Sequence, residues 1–235
     1  DSEYIGTKFD GVEIQLEDPS PRQDLVHPPR NDRFFQLSAQ RLVSGQEEIF
    51  DQTIQIKIGK RKGDISASTP TQNHLLLCEH PHVYTLGKTG DETNLLINKE
   101  TLKNNNATFY KINRGGDITY HGPGQIVGYP ILDLHDHQLS INWYMRSLEE
   151  VLIRTLAEFR IDSERREGLT GVWVEDRKIA SLGVRVSRWV TMHGFALNVN
   201  TDLSYFDGII PCGIFECGVT SMERILGGEL VLEVV

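Results

Sequence analysis

The chain has 235 residues, 39% of them hydrophobic and 24% charged, with a formal net charge of −9 at pH 7. Such a composition describes a globular protein long enough to bury a sizeable core rather than a disordered chain. The acidic balance argues against non-specific nucleic-acid binding, and no apolar run approaches the roughly 20 residues of a membrane helix.

Residues 1 to 45 read as an irregular arm, since "LEDPSPRQDLVHPPRNDR" is rich in Pro and charge and shows no clean period. The opening "DSEYIGTKFD" lacks the basic start and apolar stretch of a signal peptide. Residues 46–235 read as one catalytic domain. In "QEEIFDQTIQIKIGKRKG", Ile49, Phe50 and Ile54 suit a helix while Ile54, Ile56 and Ile58 alternate as in a strand; the helix is preferred. Its end carries a basic run, Lys57, Lys60, Arg61 and Lys62, which could steer an acidic partner. "KGDISASTPTQ" reads as a loop. "HLLLCEH" and "HVYTLG" read as short buried strands around the His80–Pro81 turn, and "ATFYKIN" and "QIVGYPILDL" as strands on either side of a dense motif.

Between Ser140 and Arg160, apolar residues at Ile141, Tyr144, Met145, Leu148, Val151, Leu152, Leu156 and Phe159 predict an amphipathic helix. "VWVE", "KIASLGVRV" and "VTMHGFALNV" follow as strands separated by turn signals. Strands outnumber helices and are expected to pair mostly as sequence neighbours. The expected class is therefore α/β (α+β), a mixed, largely antiparallel sheet flanked by helices.

Three segments could carry chemistry. In "RGGDITYHGPGQ", Arg114-Gly115-Gly116 and Gly122-Pro123-Gly124 set two sharp bends around "DITYH", making it a rigid wall with Thr119 and His121 at its ends. Neither GxxxxGK[ST] nor GxGxxG is present, so this is not a phosphate loop. In "DRKIASLGVRV", spacing alone reads Lys178 as a strand-edge lysine with its head in solvent. Partial burial would instead make it available for proton transfer. Ser181 and Gly183 are small enough for a substrate to approach the backbone. In "GIIPCGIFECGVTSM", Cys212 is held between Pro211 and Gly213, which suits a presented thiol, and thiolate is the nucleophilic form. Cys217 and Cys78 read as packing residues, and Cys212 and Cys217 lack the spacing of common zinc sites. Three sparse cysteines do not make a secreted disulfide scaffold, so a reducing, cytoplasmic setting is expected. His193, like His121, precedes a glycine, with Asn198 and Asn200 nearby.

"EHPHVYTLG", "RGGDITYHGPGQ", "KIASLGV", "HGFALNV" and "PCGI" occur in the order and approximate spacing of the lipoyl(octanoyl) transferases, which the chain resembles over roughly residues 74 to 225. The resemblance implies the catalytic-domain fold shared by biotin and lipoate protein ligases. It implies octanoyl (or lipoyl) transfer from acyl carrier protein, the first step of protein lipoylation, with neither ATP nor metal. The donor carries its acyl group on phosphopantetheine. The acceptors would be lysines of lipoyl domains in 2-oxoacid dehydrogenase complexes and of the glycine cleavage H protein, with no nucleic-acid or membrane partner. Cys212 matches the acyl-accepting nucleophile and Lys178 the lysine that lowers its pKa. Arg114, Gly115, Gly116, Asp117, Ile118, Thr119, Tyr120 and His121 match substrate-binding segments, as do Ser181, Leu182 and Gly183, and Gly194, Phe195 and Ala196. Three rivals remain: an ATP-dependent lipoate or biotin ligase, whose basic glycine-rich adenylate loop is not found; a cysteine thioesterase using Cys212 with His121 or His193; and a non-catalytic paralogue that only binds lipoyl domains, against which the presence of both Lys178 and Cys212 speaks.

Overall fold

The computed structural model describes residues 39–210 and 218–235, with side chains described from Gly45 onwards. The irregular arm, to residue 38, lies outside the described residues. Helix α1 (Ala39–Lys62) starts inside the span read as arm and runs through the ambiguous isoleucines, so the helical reading holds. Tertiary packing decides it: Phe50 and Ile54 are buried against Ile131, Val190 and Met192, with Ile49 and Ile58 alongside, a spacing only a helix can present on one face.

Strands β1 (His74–Cys78) and β2 (Val83–Leu86) form as expected, but they are not partners. After helix α2 (Lys99–Asn104) come β3 (Thr108–Lys111), β4 (Ile118–His121) and β5 (Gln125–Ile131). Helix α3 (Ile141–Glu158) precedes β6 (Val172–Val174), β7 (Arg177–Ser187) and β8 (Val190–Asn198), and a short α4 (Met222–Leu226) follows. A five-stranded antiparallel sheet has the order β1-β5-β8-β7-β6, and a three-stranded sheet the order β3-β2-β4. Three of the six pairings join sequence neighbours, β2–β3, β6–β7 and β7–β8. The expectation of mostly local pairing therefore fails for half of them. The chain leaves the large sheet after β1 and returns only at β5. Of the described pairs only β2–β3 is parallel.

Ser140 caps α3, its hydroxyl accepting from the Trp143 amide at 3.2 Å. The buried face of α3, including Leu152 and Leu156, packs on Val172, Ile179 and Leu197 of the large sheet. The small sheet has its own core, in which Tyr84, Ile118 and Tyr120 meet Phe206 and Ile209. Helix α2 has a single apolar periodic residue, Leu102, which is why no helical pattern announces it; Asn98 caps it by accepting from the Thr101 amide at 2.9 Å.

Asp133, buried just after β5, takes a contact from the Lys57 ammonium and a 3.1 Å hydrogen bond from the Thr71 hydroxyl. Lys57 is thus committed to the fold, which removes it from any docking role for the basic run. Removing one member of a buried, hydrogen-bonded ion pair strands the other. Asp133→Ala should therefore cost about 2–4 kcal/mol, read as a lower urea midpoint at unchanged slope.

Candidate active site

A cavity of about 1020 Å³ is lined by both sheets. On the small-sheet side stand Thr85, Ile118, Thr119 and His121; on the large-sheet side stand Tyr129, Lys178, the stretch Ser181–Val184 and the stretch His193–Ala196. Among the described residues no group of three or more His, Cys, Asp or Glu could hold a metal ion.

The Arg114-Gly115-Gly116 bend crosses from one sheet to the other. The Arg114 guanidinium donates to the Thr85 carbonyl at 2.6 Å and to the Thr85 hydroxyl at 3.0 Å. The Lys88 amide donates to Arg114 O, and the Gly115 amide donates to Val184 O on β7, both at 2.9 Å. This crossing is so close that a Cβ on Gly183 would lie 3.0 Å from Gly115 O and 3.2 Å from Arg114 Cδ. Glycine at 183 therefore makes room for the bend. Asp117 is also occupied: its carboxylate accepts from Asn94 Nδ2 at 2.6 Å and from the Ile118 amide at 2.7 Å.

Beyond Asp117, β4 alternates. Thr119 and His121 reach the cavity, as the wall reading expects. Tyr120 does not line the cavity. It is fully buried in the small-sheet core, stacked on Tyr205 at 4.8 Å between ring centres, with its hydroxyl 2.7 Å from His82 Nδ1. The period of two in a strand separates it from its two neighbours. Gly124, in the second bend, accepts through its carbonyl from the Asn200 amide at 2.8 Å. Gln125 Nε2 donates to Asn198 Oδ1 at 2.9 Å. These bonds fix the bend to the end of β8.

Lys178 is buried, at 7% exposure, and lines the cavity. The strand-edge reading fails because β7 has a further backbone neighbour. The Lys178 amide donates to Gly218 O at 2.9 Å and its carbonyl accepts from the Thr220 amide at 3.0 Å. The aliphatic stem passes Gly171, where an added Cβ would sit 3.1 Å from Lys178 Cε, and the ammonium lies 4.8 Å from the centre of the Trp173 ring. Gly171 is itself held by Glu149, buried on α3, whose carboxylate accepts the Gly171 amide at 3.2 Å and pairs with Arg146 at 2.7 Å.

Cys212 and Cys217 lie outside the described residues. The described chain stops at Ile210, whose amide donates to Asn94 O at 2.9 Å, and resumes at Gly218, the residue bonded to Lys178. Cys78 is buried, and burial with the neighbouring Glu79 carboxylate pushes its thiol up to about 12, which suits packing and not attack.

Sequence reasoning reached His121 and His193 and missed two partners in the cavity, His80 and Tyr129. His80 Nε2 lies 2.5 Å from the Tyr129 hydroxyl. Burial lowers His80 to about 4. Burial, with Arg114 and Arg185 nearby, also lowers His193 to about 4. His121 is lowered to about 3 by burial, then by His80 and Arg114. All three rings are neutral at pH 7. The missed signal was available in part: Val127 and Tyr129 share a face of β5, and His80 reads only as a turn residue until β1 is paired with β5.

The family model for the lipoyl protein ligase A/B catalytic domain matches residues 61–235. An octanoyltransferase of Flavobacterium johnsoniae is 60% identical over 193 residues, 80% of this chain and 82% of the relative. One from Christiangramia forsetii is 60% identical over 187 residues, covering 77% and 79%. Among solved structures, a lipoate-protein ligase A bound with ATP superposes with a TM-score of 0.61 at 13% identity, over 80% of this chain and 74% of that one. A bipartite lipoate protein ligase from Thermoplasma acidophilum gives 0.58 at 15% identity, over 80% and 73%. At such identities the structural likeness speaks for the fold alone, and it bears out the expected mixed α/β ligase-type domain.

Proposed function

Because the chain belongs to the lipoyl protein ligase A/B catalytic-domain family and is an acyltransferase akin to its octanoyltransferases, we propose that it transfers an octanoyl group from acyl carrier protein to lysines of lipoyl domains through a thioester on Cys212. The observation that carries this reading is the burial of Lys178 in the cavity wall, with its amide bonded to Gly218, the first described residue after the segment that holds Cys212. A buried ammonium close to a thiol favours thiolate.

The Cys212 thiolate attacks the acyl carbonyl of the donor thioester; the carbonyl–sulfur bond to phosphopantetheine breaks and its thiolate leaves. The phosphopantetheine thiolate takes a proton from the Lys178 ammonium as it departs; the acceptor lysine amine then attacks the new thioester and gives its proton to the Lys178 amine so formed, which restores the ammonium, and Cys212 thiolate is expelled. The first exchange trades one thioester for another and the second forms an amide, so the sequence runs downhill without ATP or metal. In this reading lipoyl domains of 2-oxoacid dehydrogenase complexes and the glycine cleavage H protein are the acceptors. The cytoplasm supplies the reducing conditions a free thiolate needs. Among the described residues no helix is long and apolar enough to cross a membrane.

The test is intact mass after incubation with octanoyl-carrier protein and no acceptor. One octanoyl adduct is expected, released by hydroxylamine, lost in Cys212→Ala and kept in Cys78→Ala and Cys217→Ala. An adduct on another cysteine, or free octanoate as the only product when a lipoyl domain is added, would refute the reading.

A further inference from the structure

Tyr144, Leu148, Leu152 and Leu156 make the buried stripe of α3, and Glu149 is the one charged side chain buried with them. Burying a carboxylate is costly, and apolar replacement of a buried ion pair is often neutral or stabilising, so helix packing alone does not call for one here. Its two oxygens have separate tasks. Oε2 takes the Arg146 guanidinium at 2.7 Å and Arg165 Nε at 3.3 Å, while Oε1 accepts from the Gly171 amide at 3.2 Å. The side chains of Arg146 and Arg165 are 45% and 34% exposed, so both can turn to water. The bond to the Gly171 amide is buried, and that amide cannot.

Gly171 leads into β6 at φ +133°, a backbone conformation that favours glycine. A side chain there is also excluded by space, since its Cβ would lie 2.8 Å from Ala180 O and 3.1 Å from Lys178 Cε. The main chain at Gly171 is therefore the wall against which the Lys178 stem lies. Immediately beyond it the β6–β7 register shifts. Val172 pairs with Ala180, which in a regular ladder would set Trp173 opposite Ile179; instead Trp173 pairs with Lys178. A shift of this kind re-aims side chains, and here it brings the ring and the ammonium together, 4.8 Å from nitrogen to ring centre.

We propose that Glu149 is a positioning residue for Lys178: its Oε1 clamps the Gly171 main chain onto the lysine stem, and the clamp keeps the ammonium over Trp173 at the cavity wall. This rests on the reading that Lys178 carries protons in acyl transfer. Glu149 does not line the cavity and acts only through Gly171. Withdrawing the acceptor leaves a buried amide unpaired. The main chain relieves that by moving, and the stem gains room. Misplacing a catalytic group by about 1 Å can cost on the order of 10²-fold in rate.

Two substitutions separate the acceptor from the charge. Glu149→Asp keeps the charge for both arginines and retracts the oxygens by about 1.5 Å, one carbon–carbon bond. Glu149→Gln keeps an oxygen for Gly171 and gives up the charge. In the full chain, octanoyl transfer to a lipoyl domain is measured as kcat and KM. Separately, Lys178 is trace-labelled with acetic anhydride, and its acetylation is read by peptide mass against that of the exposed Lys62. Glu149→Asp should lower kcat by about 10- to 100-fold with KM little changed. It should also raise Lys178 labelling about threefold, as a head freed from a cation–π contact would. Glu149→Gln should match the wild type in both, although its urea midpoint falls with the broken ion pair. Should Glu149→Asp not fold, Glu149→Met, which fills the space without accepting, takes its place with the same expectation. Unchanged labelling in the variant that lacks the acceptor would overturn the clamp. Equal effects in Glu149→Gln would do so too, because they would trace to the charge. Raised labelling with unchanged kcat, or a wild type that transfers no octanoyl group, would instead count against the part given to Lys178 and leave the clamp standing.

Discussion

Lys178→Arg should form the acyl-enzyme and then stall. Under the proposed mechanism arginine keeps the positive charge that thiolate formation needs, but it does not release a proton near neutral pH. The incoming lysine amine would then lack its proton carrier. General acid–base assistance is typically worth about 10²–10⁴-fold, so transfer to the lipoyl domain should slow by that order while octanoyl-protein accumulates. Quenched time courses read by intact mass separate the two steps. Lys178→Ala, without charge or proton, should be poor at both. The surroundings sharpen the comparison, because the lysine stem is confined between Gly171 and the Trp173 ring. Near-normal transfer by Lys178→Arg would reduce Lys178 to an electrostatic partner. Failure to acylate would show that the confined head must sit where only a lysine places it.

Acid should destabilise the protein well before its carboxylates are protonated. His80 and His193 are lowered to about 4, His80 by burial and His193 by burial first and then by the Arg114 and Arg185 charges, with the Asn113 backbone pulling the other way. In the unfolded chain both return to about 6.5. Between those values the unfolded state binds protons that the folded state refuses. The stabilising contribution is complete above pH 6.5 and drains away as pH falls towards 4. For these two buried rings together the loss from pH 7 to pH 5 is on the order of 3 kcal/mol, a large part of an ordinary domain's stability. His121, lowered to about 3, adds a similar share, so urea midpoints at the two pH values should differ accordingly and His193→Asn should recover about a third of the difference. Equal midpoints would mean the folded protein accommodates the protonated rings.

What the sequence disclosed divides along the range of the interactions involved. Helix α3 was legible because its cap and its apolar stripe are local, and strands β7 and β8 because turn signals bound them. The density of special residues from Arg114 to Gln125 marked a site, yet its cause was hidden. Gly115 is bonded to Val184, and the sequence does not say that two sheets meet there. Lys178 looked exposed because the backbone neighbour that covers its strand, Gly218 to Thr220, lies some forty residues on and shows no strand period. Tyr120 followed the motif in sequence but the pleat in space, and the pleat turns it into the small-sheet core. The union of His80 with Tyr129 depends on β1 crossing to β5, a pairing no short window contains.

The bend at Arg114 and Gly115 has a thermodynamic meaning beyond its shape. The small sheet holds one side of it through Thr85, with Lys88 just beyond β2, and the large sheet holds the other through Val184. A cavity whose walls come from two separately cored sheets exists only while that seam is closed. Whatever fills the cavity therefore binds the closed form and not one in which the small sheet has come away. Occupancy then acts as a clamp on partial unfolding, deepening the closed state by RT ln(1 + [L]/Kd), about 2.7 kcal/mol at a hundredfold excess over Kd. An occupant is in this sense part of the protein's architecture, and the empty protein is the form most open to sub-global breathing at this cavity.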